Sequence, residues 1–293
     1  CFTPAGPAAF ARDPESSRQV WSAEAGYPGE PAYRDFYRDV GFDLPADYVW
    51  PGGKTPRFTG IKYHRITGRG AEKELYKRRW AVNAAHAHAD HFLESRQRQM
   101  HDLGAQNFEP IVVMPFDAEL FGHWWYEGPL FLECFIRKAA ADGSGVRLTT
   151  PTEYLREHPT HETVQPAASS WGENGYWSVW LDPSNSWIYP HLHTAARRMT
   201  EAARTHATAR SAMADRVLKQ LARELLLAQS SDWAFLIKTG TAKQYAAQRT
   251  TDHIERFTKL HAQLTSGRID QEFLSDCEWR DNLFRNVDWR HYI

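Results

Sequence analysis

Residues 110–157 constrain the fold of this chain more than any other stretch. Pro110 opens Ile111-Val112-Val113-Met114, a continuous apolar run of the kind found in strands buried on both faces of a parallel sheet. The chain then turns at Phe116-Asp117, and a helix is predicted from Pro129, a favoured first-turn position, to about Ala141. Val146-Arg147-Leu148-Thr149 reads as a second short strand. It runs directly into Thr150-Pro151-Thr152-Glu153, a capping box with proline at the first helical position. Strand, helix, strand and helix joined by short connections predict a parallel sheet, hosted by a barrel or a doubly wound fold. Ligands of such sheets gather at the carboxyl ends of the strands, where Asp117 and Thr150 fall.

The flanking segments differ in character. Residues 1–57 carry many turn-formers, among them Gly26, Pro28, Gly29, Pro31, Pro45 and Pro51, and are expected to form long loops. Gly60 to Ile66 alternates apolar and polar residues, a short predicted strand. A helix is predicted over 78–103, stopping at Gly104. Beyond Pro183-Ser184-Asn185-Ser186 the sequence is helical over 187–229, 241–266 (ending at Gly267) and 269–279. The predicted architecture is therefore α/β over residues 1–186, followed by an all-α helical domain over 187–293.

Charge and cysteine usage exclude several function classes. Lys plus Arg number 35 against 36 Asp plus Glu, so a net charge of −1 gives no long-range attraction to nucleic acid or an anionic membrane. The longest apolar runs are far too short to span a bilayer. Cys1, Cys134 and Cys277 cannot all pair and are widely spaced, which favours a reduced, cytoplasmic setting. His86, His88 and His91, like His191 and His193, lack the Cys or carboxylate partners that would complete a metal set. With neither a Gly-rich phosphate loop nor a Gly-x-Ser-x-Gly elbow, no metal or cofactor is expected. Residue 1 is Cys rather than Met, and truncation is preferred to a mature lipoprotein because no flexible Ser/Gly tether follows.

Aromatic residues are abundant: 12 Trp, 12 Tyr and 15 Phe, or 13% of the chain. They concentrate in Met114–Pro129, where five aromatics, three carboxylates and His123 fall within sixteen residues just past the predicted strand. A carboxylate walled by Phe116, Phe121 and Trp124 would lose hydration and have its pKa raised, as a general acid at neutral pH requires, and Asp117 is the candidate. The alternative is a loop whose acids cap the following helix while its aromatics pack the core. A second aromatic cluster follows at 158–180, with Trp171, Trp177 and Trp180. A third candidate, Ser230-Ser231-Asp232-Trp233, reads equally as the N-cap of a helix.

Phe116-Asp117-Ala118-Glu119-Leu120-Phe121-Gly122-His123-Trp124-Trp125 resembles the fourth signature motif of glycoside hydrolase family 57 in its 1,4-α-glucan branching form. Residues 12–22, 37–43 and 60–63, Ser170-Trp171-Gly172 and Ser230–Trp233 resemble stretches of the same enzymes. The resemblance implies a (β/α)7 barrel, here its C-terminal part, followed by a helical domain. It implies retaining transfer within an α-1,4-glucan to form α-1,6 branches, with Asp117 as acid/base. In a retaining pair the carboxyls stand about 5–5.5 Å apart. The family's His-Gln-Pro stretch and its Glu-Cys stretch with the nucleophile have no match here. Glu119 comes from the same turn as Asp117 and leaves no space for a sugar between them, so the chain is expected to be a C-terminal fragment without its nucleophile. The resemblance further implies sugar-binding roles for Arg12, Gly29, Trp171, Asp232, Trp180, His123 and Trp124, with an α-glucan as the partner. Two readings remain beside branching: an α-amylase or 4-α-glucanotransferase, and a non-catalytic glucan-binding fragment. The natural glucan and the oligomeric state are not legible.

Overall fold

The structure, a computed structural model, describes residues 1–68, 70, 72–105, 110–208 and 211–293 of the chain. It is helical: among the described residues there are isolated bridges, such as Arg34–Arg65 and His64–Leu75, and no β-ladder. The chain divides into two compact units, Cys1–Pro166 and Ala167–Ile293.

The first unit contains α1 (Pro14–Trp21), the single turns α2 (Val40–Asp43) and α3 (Ala46–Val49), then α4 (Arg78–Gly104), α5 (Gly128–Ala139) and α6 (Pro151–Glu157). The turn-rich reading of residues 1–57 passes over α1, although Asp13-Pro14-Glu15 encodes it. The Asp13 carboxylate accepts from Ser16 N at 2.7 Å, and Pro14 sits where its missing N–H costs nothing. α4 buries Ala81, Ala85, Ala89 and Phe92, a stripe of mostly small side chains that lets α5 approach with Phe131, Cys134 and Phe135. Burial of a side chain such as Phe92 or Phe131 contributes roughly 1.5–3 kcal/mol. His88, half-buried, and His91, exposed, flank the α4 core and are hydrogen-bonded through Nδ1 to the hydroxyls of Tyr33 (2.7 Å) and Tyr27 (2.8 Å). The capping box of α6 forms as predicted, with Glu153 N donating to Thr150 Oγ1 and Thr150 N to Glu153 Oε2.

The three predicted strands, 60–66, 111–114 and 146–149, are not strands, and the α/β expectation for residues 1–186 is corrected to a helical one. An extended segment becomes a strand only when a neighbour aligns with its N–H and C=O groups over several residues; 60–66 makes only isolated bridges at His64 and Arg65, and among the described residues no bridge involves 111–114 or 146–149. Val113 O accepts from Asp13 N at 2.9 Å, a contact with the start of α1 rather than a ladder. Between 110–115 and 145–151 lies a cavity of about 510 Å3, lined also by Phe10, Arg96, Phe135 and Tyr154.

The second unit contains α7 (Ile188–Thr205), α8 (Ala212–Ala228), α9 (Ser231–Thr239), α10 (Lys243–Ser266) and α11 (Gln271–Arg280). The stretch predicted as helical over 187–229 is two helices, because Ser211 caps α8 by accepting from Ala214 N at 3.3 Å. Residues 209–210 of that stretch lie outside the described residues. Gly267 ends α10 at φ 69°, a left-handed conformation that glycine adopts without a Cβ penalty. Met199, Leu218, Leu221, Leu225, Phe257, Leu260 and Trp289 form the main core. The aromatic segment ahead of α7 belongs to this unit, since the side chain of Asn185 donates to Val179 O (2.9 Å) and to Ala234 O in α9 (3.1 Å). No helix among the described residues is long and apolar enough to cross a membrane.

A charged network crosses this core. Glu224 and His253 are fully buried, and Asp281 nearly so. Arg249 donates to His253 Nε2 at 2.9 Å, so the ring proton sits on Nδ1 and is donated to Glu224 Oε2 at 2.7 Å. Arg256 donates to Asp281 Oδ2 at 2.8 Å, and Gln220 to Glu224 Oε1 at 2.8 Å. Ligand-type atoms of Glu224, His253 and Asp281 lie within 4.8 Å of one another. With both ring nitrogens engaged and two guanidiniums balancing two carboxylates, the set is a neutral hydrogen-bonded network rather than a cation cage.

Candidate active site

Asp117 heads a tight aromatic turn. Its carbonyl accepts from Leu120 N at 3.2 Å, opening a single 3-10 turn over Ala118–Leu120. The chain then folds back, with Trp125 N donating to Leu120 O (2.8 Å) and Gly122 N to Trp125 O (2.8 Å). Gly122, at φ 99°, allows the reversal. Trp125 is buried against Phe131 (4.9 Å between ring centroids) and Tyr33 (5.6 Å), which anchors the turn to the α4–α5 core. Phe116 and Phe121 pair at 5.9 Å. Trp124 points outward, about half exposed, and lies against Phe36 at 4.5 Å; His123 is exposed and meets the same ring at 5.4 Å.

The Asp117 side chain is half-buried, and burial, followed by the Glu119 carboxylate, pushes its pKa above the ordinary aspartate value. Both causes disfavour the anion, so this carboxyl holds its proton to higher pH than a free aspartate. Glu127, at the far end of the turn, is a buried acid that sequence reasoning did not single out. Its Oε1 accepts from Arg34 N at 3.3 Å, and burial pushes its pKa up against the opposing effects of Tyr76 and Arg34. The signal for it was a carboxylate directly before Gly128-Pro129, where the helix starts and side chains turn inward.

The other candidates fall in both units. In the first, Arg12 is exposed beside Asp13, whose N–H reaches Val113 on the segment that leads to Asp117. Gly29 is required by packing, because a Cβ there would stand 1.9 Å from Ala23 O. In the second, Trp171 is exposed, whereas Trp180 packs with Ile188, Ala234 and Ile237. A Cβ on Gly172 would lie 3.2 Å from the Trp180 ring, so the Trp171-Gly172 turn rests on that indole. Asp232 is exposed in the first turn of α9, where its Oδ2 accepts from Ser230 Oγ at 3.0 Å. The Asn185 bonds to Val179 and Ala234 therefore hold Trp171, Trp180 and Asp232 on one substructure.

Residues 191–292 match the family described as 1,4-alpha-glucan branching enzyme, C-terminal. The chain is 37% identical to the 1,4-alpha-glucan branching enzyme of Thermococcus kodakarensis, over 98% of this chain and 41% of that protein. The crystal structure of the GH57-type branching enzyme from Pyrococcus horikoshii superposes with a TM-score of 0.80 at 35% identity, covering all of this chain and 53% of that one. The alpha-amylase AmyC from Thermotoga maritima gives a TM-score of 0.77 at 44% identity, covering 99% of this chain and 55% of that one. The chain spans about half the length of the curated relatives it matches. Over nearly its whole length this chain is therefore similar to part of the GH57-type branching enzymes, and likewise to part of the alpha-amylase AmyC.

Proposed function

We propose that this chain supplies the acid/base part of a retaining α-1,4-glucan branching site. The observation that carries the reading is Asp117, an acid at the head of an aromatic turn whose pKa is pushed up by burial and by Glu119. In the first step its carboxyl protonates the leaving glycosidic oxygen of an α-1,4 bond while a second carboxylate takes the anomeric carbon. In the second step the Asp117 carboxylate removes the proton from an acceptor 6-hydroxyl as that oxygen displaces the enzyme, which restores both carboxyls. Glu119 is exposed on the same turn and unsuited to the second role. The nucleophile is assigned to the half of the relatives' length outside the match.

Arg12 in the first unit and Asp232 in the second are each suited to binding sugar hydroxyls with directional bonds, and Gly29 shapes the turn that precedes Glu30. Trp171, Trp180, Trp124 and His123 offer flat faces and polar edges to pyranose rings. A cytoplasmic location and a glycogen-like product complete the reading. The complete gene product incubated with amylose is expected to raise the content of α-1,6 branches, counted after debranching, without a matching rise in reducing ends. The 44% identity to AmyC favours α-amylase activity as the second reading. Reducing ends accumulating without branches would select it over branching.

A further inference from the structure

Residues 36–63 are a second aromatic concentration, distinct from the turn at Asp117. They form a long loop with two single helical turns, yet they are not loosely held. Asp39, fully buried, accepts from Gly41 N (2.9 Å), Thr59 N (3.0 Å), Thr59 Oγ1 (2.7 Å) and Gly60 N (2.8 Å), which pins the two ends of the loop together. These bonds hold its carboxylate below the ordinary aspartate range against the opposing effect of burial. A loop fixed by a buried carboxylate has already lost the entropy that a binding surface would otherwise lose on engagement.

On this frame a file of rings runs outward from the Asp117 turn. Trp124 lies on Phe36 at 4.5 Å with the planes tilted by 33°. Lys62 Nζ stands 3.9 Å from the centre of Phe36 and 5.8 Å from that of Phe58, and it donates to Phe36 O. Phe58 in turn meets Phe42 edge-on at 4.8 Å. Phe58 is 63% exposed and Phe42 49%, a large apolar display for residues built on so rigid a support. Ring faces separated by a buttressed ammonium, rather than a continuous aliphatic patch, match a ligand whose repeating units present an apolar C–H face and a rim of hydroxyls.

We propose that Phe36, Phe42, Phe58 and Lys62 form an outer binding track for an α-glucan chain, continuous through Trp124 with the Asp117 turn. The proposal rests on the glucan reading above and adds a second contact region to it. The track engages long chains and spares short ones, because a maltotriose fills only the sites beside the acid while glycogen outer chains extend along the ridge.

The test is retention of the 293-residue chain in native gels cast with glycogen, beside Phe42→Ala, Phe58→Ala and the double variant. Thermal melting of each is followed by circular dichroism. The double variant is expected to need about tenfold more glycogen for the same retardation with its melting temperature within a few degrees of the parent, since both rings are exposed. Parent-like retention of the folded double variant would overturn the track and leave the glucan reading standing. A strong loss of melting temperature with unchanged retention would also overturn it and mark the ridge as a packing surface. If the double variant fails to fold, Phe58→Gln and the protection from hydrogen exchange that maltoheptaose confers on residues 42–58 decide in its place, absence of protection counting against the track. A parent chain that glycogen does not retard at all would overturn the glucan reading and the track together.

Discussion

Asp117→Asn in the complete gene product is expected to lower the branching rate by about 10^2- to 10^4-fold, the range of a lost general acid–base contribution. The asparagine amide has nearly the same shape but no proton to give the glycosidic oxygen and no charge to take one from the acceptor. Glucan binding should change little, so the loss falls on kcat rather than KM. A glucoside with a good leaving group needs no proton for the first step, and its cleavage should be spared in the variant. The sign of the pH dependence follows from the raised pKa: the reactive acid is the protonated form, so the rate of the first step falls as pH rises through the Asp117 midpoint. Branching by the Asn variant within fivefold of the parent would remove Asp117 from the mechanism.

The second large effect lies in the helical unit. Glu224→Ala is expected to destabilise that unit by about 3–5 kcal/mol, the cost of breaking a buried ion-paired network by removing one partner. The substitution strands the fully buried Nδ1–H of His253, removes the shortest of the three contacts of the Gln220 amide, and leaves the remaining charges unbalanced. Urea unfolding of the chain, followed by helical circular dichroism, checks this. A loss below about 1 kcal/mol would mean that water or a shifted Asp281 carboxylate substitutes for that of Glu224, and that the network is not the constraint the distances imply.

Legibility of the sequence followed the range of the interaction that decides each element. Helices set by local signals were readable: α4 with its stop at Gly104, α5 from its Gly-Pro start, α6 from a capping box, α10 to Gly267. The failures were non-local. Ile111–Met114 and Val146–Thr149 have the composition of buried strands, but strand formation depends on a partner segment, and no local pattern reports whether one lies alongside. Ser211 caps α8 within a helix-rich stretch where propensity alone predicts continuity. The Glu224–His253–Asp281 network was hidden because its members sit on three separate segments, two of them on the apolar faces of amphipathic helices. Phe36 and Lys62 escaped notice for the same reason, since only the fold brings them to Trp124.

The raised pKa of Asp117 was legible because both influences on it are close in sequence: an aromatic turn and a carboxylate two residues away. Trp180 behaves as a core residue and Gly29 as a packing requirement, so what each does in the structure is to shape a turn. That kind of role leaves no composition signature. Only the contacts made by the folded chain distinguish it from an exposed platform such as Trp171.

The most direct probe of the acid is the titration of its own carboxyl carbon in 13C-labelled protein, assigned by the resonance missing from Asp117→Asn. The midpoint should lie above the free aspartate value of about 3.9 and should fall when Glu119→Gln removes the neighbouring charge. A midpoint at or below the free value, unmoved by Glu119→Gln, would contradict the account, because the proton that the glycosidic oxygen needs would already be lost to water.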